Sequence, residues 1–277
     1  LIKVANKWYG HLNLVYAYGL NQTQLISNHQ QAPLKVQRPF YPEGKKVCHS
    51  IILHTAGGIV GGDQLAVNIH LQPHSQALIT TAAASKIYRS NGGQQARQIL
   101  QIQVDAGACL EWLPQETILF DGAIYRQDLR VELAIGANYL GWEINRFGRS
   151  ARGERFYQGE GRSHTEIWQQ GTPLWIDRQW IPGGEDIFHS PHGLGGRAIV
   201  GSLVWLGSAV SEGVVENSRK LWQGEGETGV SQLQNGFLCR YRGTSTAEVR
   251  NWFTAVWQML RVSFLNRGNC IPRVWQV

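Results

Sequence analysis

Three single acids stand among large apolar residues: Glu111 in Cys109-Leu110-Glu111-Trp112-Leu113, Glu143 in Leu140-Gly141-Trp142-Glu143-Ile144, and Asp177 in Leu174-Trp175-Ile176-Asp177. Burying an ionised carboxylate costs several kcal/mol unless it is paired, hydrogen-bonded or lining water. One form of compensation is a salt bridge, for which Arg178, Arg146 and Arg149 stand nearby in the chain. The other is a wet interior route of oxygen ligands, to which Asp63, Thr80 and Ser85 would add. Other chemistries lack their motifs. No Gly-x-Ser-x-Gly elbow and no His-Glu-x-x-His are present. Pro73 between His70 and His74, with a strand pattern before them, argues against a shared helical face. His189-Ser190-Pro191-His192 is a loop pair able to ligate a metal, but no convergent ligands are evident. Cys48, Cys109, Cys239 and Cys270 contain no C-x-x-C pair, which argues against a zinc site or thioredoxin-type redox chemistry.

The elements that must position these residues read mainly as short strands. In His54-Thr55-Ala56-Gly57-Gly58-Ile59-Val60-Gly61-Gly62-Asp63, two glycine pairs allow a chain reversal and lead into a strand. A phosphate-cradling loop would need Gly-Lys-Ser/Thr and a helix there. Leu65, Val67, Ile69 and Leu71 alternate with polar or small residues, as do Leu100, Ile102 and Val104, and then Leu129, Val131, Leu133 and Ile135. Ala198 to Leu206 reads as a fully buried strand. Ser208 to Gly229 reads as a loop, or a loop with one helical turn around Arg219 to Trp222. The clearest helix starts at Ser245, whose spacing to Glu248 is that of a capping box, and Gly268 ends it. Its apolar stripe of Val249, Trp252, Phe253, Val256, Leu260 and Phe264 suits packing on a sheet. Trp257 and Met259 widen the stripe enough to keep a partner-docking face in play.

Composition narrows the classes. The 277 residues are 43% hydrophobic and 17% charged, and no apolar run reaches the roughly 18 residues of a membrane span. A soluble protein is expected. The 32 glycines follow no collagen period and read as turns between strands. No linker divides the chain, so residues 1–277 are expected to form a single domain. Leu1 to Trp8 lacks the apolar region of a signal peptide, which gives a cytoplasmic expectation. A net charge of +6, mostly from arginine, together with 11 tryptophans suits protein interfaces. Nucleic acid is the competing partner. Arg146, Arg149, Arg152 and Arg155 form the best basic cluster, but Glu143 and Glu154 interrupt it and no recognised binding motif surrounds it.

A series of motifs covers most of the chain: Pro33-Leu34-Lys35-Val36-Gln37-Arg38-Pro39-Phe40-Tyr41-Pro42-Glu43-Gly44, the glycine-pair segment, Ser85-Lys86-Ile87-Tyr88-Arg89-Ser90, Leu110-Glu111-Trp112-Leu113-Pro114-Gln115-Glu116, Gly141-Trp142-Glu143, and Pro272-Arg273-Val274-Trp275. In order and spacing they resemble the UreD (UreH) family of urease accessory proteins. The resemblance implies an irregular β-helix-like stack of short strands with about two α-helices, one near the carboxyl terminus. It also implies a non-enzymatic scaffold that acts with UreF and the GTPase UreG on the urease apoprotein, assists nickel delivery, and leaves GTP hydrolysis to UreG. Under that implication no tightly bound cofactor is expected. Asp63, Ser85, Glu143 and Asp177 would then line a path for transient Ni²⁺, and Trp252 and Trp257 would anchor UreF. Two other classes are a carbohydrate-active β-helix enzyme with paired acids in an open cleft and a basic nucleic-acid-binding protein.

Overall fold

The computed structural model describes residues 7–275. The run from Leu1 to Asn6, which carries most of the signal-peptide reading, lies outside the described residues. In chain order the strands begin with β1 (Tyr9–Gly19), β2 (Gln22–Gln31), β3 (Leu34–Val36), β4 (Val47–His54), β5 (Gln64–Leu71) and β6 (Gln76–Thr81). They continue with β7 (Ser85–Ile87), β8 (Ala96–Val104), β9 (Cys109–Leu113), β10 (Thr117–Leu119), β11 (Ile124–Leu133) and β12 (Asn138–Phe147). The last are β13 (Glu160–Gln169), β14 (Thr172–Pro182), β15 (Ile199–Leu206), β16 (Glu227–Leu233) and β17 (Gly236–Gly243). Three helices complete the set: α1 (Glu185–His189), α2 (Glu212–Lys220) and α3 (Thr246–Leu265).

The strands form two stacked sheets. A front sheet has the order β14-β13-β11-β8-β5-β1-β2, and a rear sheet the order β16-β17-β15-β12-β9-β6-β4-β3, with β7 and β10 attached beside β12. From β4 to β13 the chain passes from one sheet to the other, apart from the short β7 and β10. Each front strand therefore pairs in parallel with the front strand one coil earlier. Parallel neighbours need a long crossover, and here the opposite sheet supplies it. Antiparallel strands close both ends of the stack: β2 and β14 in front, β3 and β15 at the rear.

Alternation decides which side chains meet between the sheets. Leu65, Val67, Ile69 and Leu71 on β5 pack against Cys48, Ile52, Ala77 and Ile79 of the rear sheet in one buried core. Left-handed Gly62, at φ 96°, takes the turn into β5. A Cβ at Gly58 would fall 2.2 Å from the Tyr88 ring and 3.0 Å from the Lys86 carbonyl oxygen, so glycine lets these loops approach closely.

The opposite side of the rear sheet is apolar as well, and α3 covers it. Leu78, Leu113, Leu140, Leu203 and Trp205 meet Val249, Trp252, Phe253, Val256 and Leu260 there. Ser245 caps the helix by accepting from the Glu248 amide at 3.2 Å, as the capping-box spacing predicts. The end differs from expectation. Asn266, in the left-handed region at φ 50°, terminates α3 two residues before Gly268. The segment read as a loop with a turn at Arg219–Trp222 contains α2, shifted toward the amino terminus, and it packs against β16. Val215 and Ser218 are its buried positions, and a helix with so few apolar anchors leaves little periodic signal.

One ion network fixes α3 to the rear sheet. Glu111 is 0% exposed. It accepts from the Trp257 indole at 2.5 Å and from Arg267, and Arg261 Nε lies 3.0 Å from it in ionic contact. Removing one partner of a buried pair strands the others, at a cost of about 3–5 kcal/mol. Glu111→Ala is therefore expected to lower unfolding stability by that amount in urea titrations. Arg178→Ala, which breaks an exposed pair with Glu166, should cost less than about 1 kcal/mol. Similar small losses for both would contradict the assignment.

Candidate functional site

Between the sheets lies a cavity of about 460 Å³. Its front wall is Leu65 and Val67 of β5, Gln98 of β8, and Gln127 and Leu129 of β11. Trp112 and Glu143 of the rear sheet face them, and exposed residues at Gly57, Ala83 and Lys86 border the space. The wall is mostly apolar with a few polar groups, the usual composition of a small-ligand pocket.

Glu143 is the carboxylate of this wall among the described residues. Asn145 donates to its Oε1. Burial pushes its carboxyl above the ordinary glutamate range, and the negative charge of Asp177 adds to that push. Hydrogen bonds from Ser163 and Asn145 and the charge of Arg240 pull the other way. No arginine is in salt-bridge contact with Glu143 among the described residues, so the salt bridge considered from sequence is missing at this acid.

A polar seam continues from Glu143. Asn145, Ser163 and Gln179 line a second, smaller void. Gln179 donates to Asp177 at 2.8 Å, and so does Arg240 at 2.8 Å. Arg240 also donates to Ser202 at 2.9 Å. Glu143, Ser202 and Arg240 are register neighbours across β12, β15 and β17, whereas Asp177 belongs to β14 of the front sheet. The Arg240–Asp177 pair therefore bridges the two sheets.

Of the four residues expected on a metal path, Ser85 and Glu143 line the cavity, and Asp177 joins through the seam. Asp63 is 0% exposed and does not line the cavity. Its two oxygens accept from the backbone amides of Trp8 at 3.0 Å and Val60 at 2.9 Å, so it staples the glycine loop. Trp252 and Trp257, the expected partner anchors, are 2% and 0% exposed. Their indoles donate to Ser218 O and to Glu111, which corrects the docking reading: the widened stripe fits the rear sheet and presents neither ring at the surface. Arg178, Arg146 and Arg149 bind Glu166, Ser150 and Glu154 and leave the three acids to other partners.

His54 is the residue that sequence reading missed. It ends β4, lines the cavity, and has both ring nitrogens buried without a hydrogen-bond partner. Burial holds its pKa below the ordinary histidine value against the opposing charge of Asp63, which favours a neutral ring with a free lone pair. The run Ile51-Ile52-Leu53 before it hides the alternation that would have aimed it inward. Neither His70 and His74 nor His189 and His192 gather a third metal-type donor among the described residues.

The raised pKa of Glu143 has a definite sign for stability. Its contribution is fully present below the unfolded value of 4.5 and fades as pH rises through the higher folded value. Glu143→Gln stays neutral throughout. Its stability relative to wild type is therefore expected to increase with pH from about 4 upward and then level off, as read by urea unfolding between about pH 4 and 8. A difference that stays flat or shrinks would contradict the assigned environment.

A family model described as UreD urease accessory protein matches residues 9–276. The urease accessory protein UreD of Nostoc punctiforme is 76% identical over 275 residues, covering 99% of this chain and 98% of that protein. That of Acaryochloris marina is 56% identical over 271 residues, 97% of this chain and 95% of its own length. The Dechloromonas aromatica protein of the same name is 39% identical over 274 residues, 97% and 94% of the two chains. Likeness of this extent, carried from the first strand through the carboxyl-terminal tail, establishes that the chain belongs to the UreD family of urease accessory proteins.

Proposed function

We propose that this chain is a non-catalytic maturation factor in the cytoplasm that joins UreF, the GTPase UreG and the urease apoprotein and passes Ni²⁺ toward the urease active site through its inter-sheet cavity. The observation that carries this reading is Glu143: a carboxylate on the wall of an interior space, with amide and hydroxyl partners and, among the described residues, no arginine in salt-bridge contact. A group so placed gains from a passing cation what Glu111 gains from its arginines. Oxygen donors with a single imidazole suit brief retention of a divalent ion better than a thiolate cage. Asp177, already neutralised by Arg240, tunes the seam and does not serve as a free ligand.

The two alternative classes gain less from the geometry. A glycosidase needs two carboxyls in one cleft, and Glu143 stands without a second acid in the cavity wall among the described residues. In the basic cluster, Arg149 is paired with Glu154, and no recognised nucleic-acid-binding motif surrounds the remaining arginines. With Trp252 and Trp257 inside, a UreF contact at α3 falls to the helix's outward side, where Val262 is the exposed large apolar residue.

Glu143→Gln tests the conduit in cells that co-produce UreF, UreG and urease. The expected result is an intact accessory complex and a roughly tenfold or greater loss of nickel in purified urease, on the scale by which polar partners govern metal binding. Full nickel content with the complex intact would overturn the conduit.

A further inference from the structure

On the outer side of the rear sheet, away from the cavity, three donors of different chemistry converge from distant parts of the chain. A carboxylate oxygen of Glu43, a ring nitrogen of His49 and the thiol of Cys270 all lie within 4.8 Å of one another. Glu43 comes from the β3–β4 loop, His49 from β4, and Cys270 from the tail beyond α3. We propose that Glu43, His49 and Cys270 form a binding site for a borderline divalent transition-metal ion of the zinc, cobalt and nickel class, which clamps the carboxyl-terminal tail to the rear sheet. This site is separate from the cavity and independent of the conduit.

Donor chemistry sets the ion class. Nitrogen, sulfur and carboxylate oxygen together favour zinc-like ions over magnesium or calcium, which take oxygen alone. The spacing comes within a side-chain rotation of what such an ion needs. Ligands around a tetrahedral ion stand about 3.3–3.8 Å apart, given metal–ligand bonds of about 2.0–2.3 Å. In the structure His49 Nε2 contacts Glu43 Oε1 at 2.6 Å. Side-chain rotation that opens this contact and draws in Cys270 makes room for the ion. The thiol proton leaves to solvent as the sulfur binds, and water completes the fourth position on the half-buried Cys270 side.

Surrounding groups are already arranged to hold the ligands. The second oxygen of Glu43 accepts from Arg261, which is 0% exposed and also donates to Gly268 O at 2.8 Å. Such a partner fixes the orientation of a ligating carboxylate. Arg261 and Arg267 are balanced by Glu43 and Glu111, so the network is near neutral before an ion arrives. His49 is fully buried and its Nδ1 has no hydrogen-bond partner. Its Nε2 already faces the Glu43 carboxylate, so the nitrogen that would bind the ion is aimed into the cluster. The clamp would also reach further along the tail, where the Trp275 indole donates to Thr80 at 3.0 Å and packs on Trp142.

Cobalt titration of the purified full chain, stripped beforehand with a chelator, tests the site because Co²⁺ reports sulfur ligation by a thiolate charge-transfer band in the near ultraviolet. One equivalent of Co²⁺ with that band is expected. Cys270→Ser should abolish the band, and Glu43→Gln should weaken binding about tenfold or more. Cys270 lies in the half-buried tail, so its variant is expected to keep the wild-type circular dichroism. Glu143→Gln should leave the band unchanged, which separates this site from the cavity. Absence of the band in the wild-type chain, or its persistence in Cys270→Ser, would overturn the proposal.

Discussion

The buried carboxylate of Glu111 is the constraint around which the rear half of the molecule is organised. A charge with no solvent exposure is tolerated only when its oxygens are occupied, and here an indole and two guanidinium groups occupy them. Those groups come from α3 and the tail behind it. The requirement to neutralise one residue of β9 thus dictates where the helix lies, which face of it is buried, and where the chain turns after Asn266. It also explains why the rear sheet is apolar on both sides: one side meets the front sheet and the other meets α3.

Glu143 poses the same physical problem one coil further on and receives a different answer. Its neighbours are an amide, a hydroxyl and a cavity, and its carboxyl is pushed toward the neutral form. The contrast between these two acids is the basis for proposing that one is architectural and the other functional. Where the protein needs a fixed joint, charges are paired to completion, as at Glu111. Where a carboxylate faces an interior space with incomplete pairing, it has capacity for a cation. The Arg240–Asp177 bridge between the sheets lies beside Glu143 and holds the seam's width, so the cavity does not collapse onto its own polar groups.

Much of this was legible in the sequence, and the limits have a physical cause. The alternation of β5 and β8 and the Ser245–Glu248 cap are encoded over a few residues, so they read correctly without any knowledge of the fold. The same holds for recognising Glu111, Glu143 and Asp177 as acids in apolar company. Their partners were not legible, because Arg240, Arg261 and Arg267 arrive from elements far away in the chain while the nearby arginines bind Glu166, Ser150 and Glu154. A wide aromatic stripe on α3 likewise cannot reveal whether sheet or partner covers it. Only the outward apolar row of the rear sheet decides that Trp252 and Trp257 are interior. His54 and the Glu43, His49 and Cys270 cluster are products of coil stacking, with no local spacing to announce them.

The proposed conduit requires that the inter-sheet cavity receive a divalent cation at Glu143. Crystals of the chain soaked in Ni²⁺ and measured at the nickel absorption edge test it without relying on urease or on any partner. The account expects an anomalous peak inside the cavity within bonding distance of the Glu143 carboxylate. Peaks confined to surface histidines or to the Cys270 cluster, with the cavity empty, would contradict it.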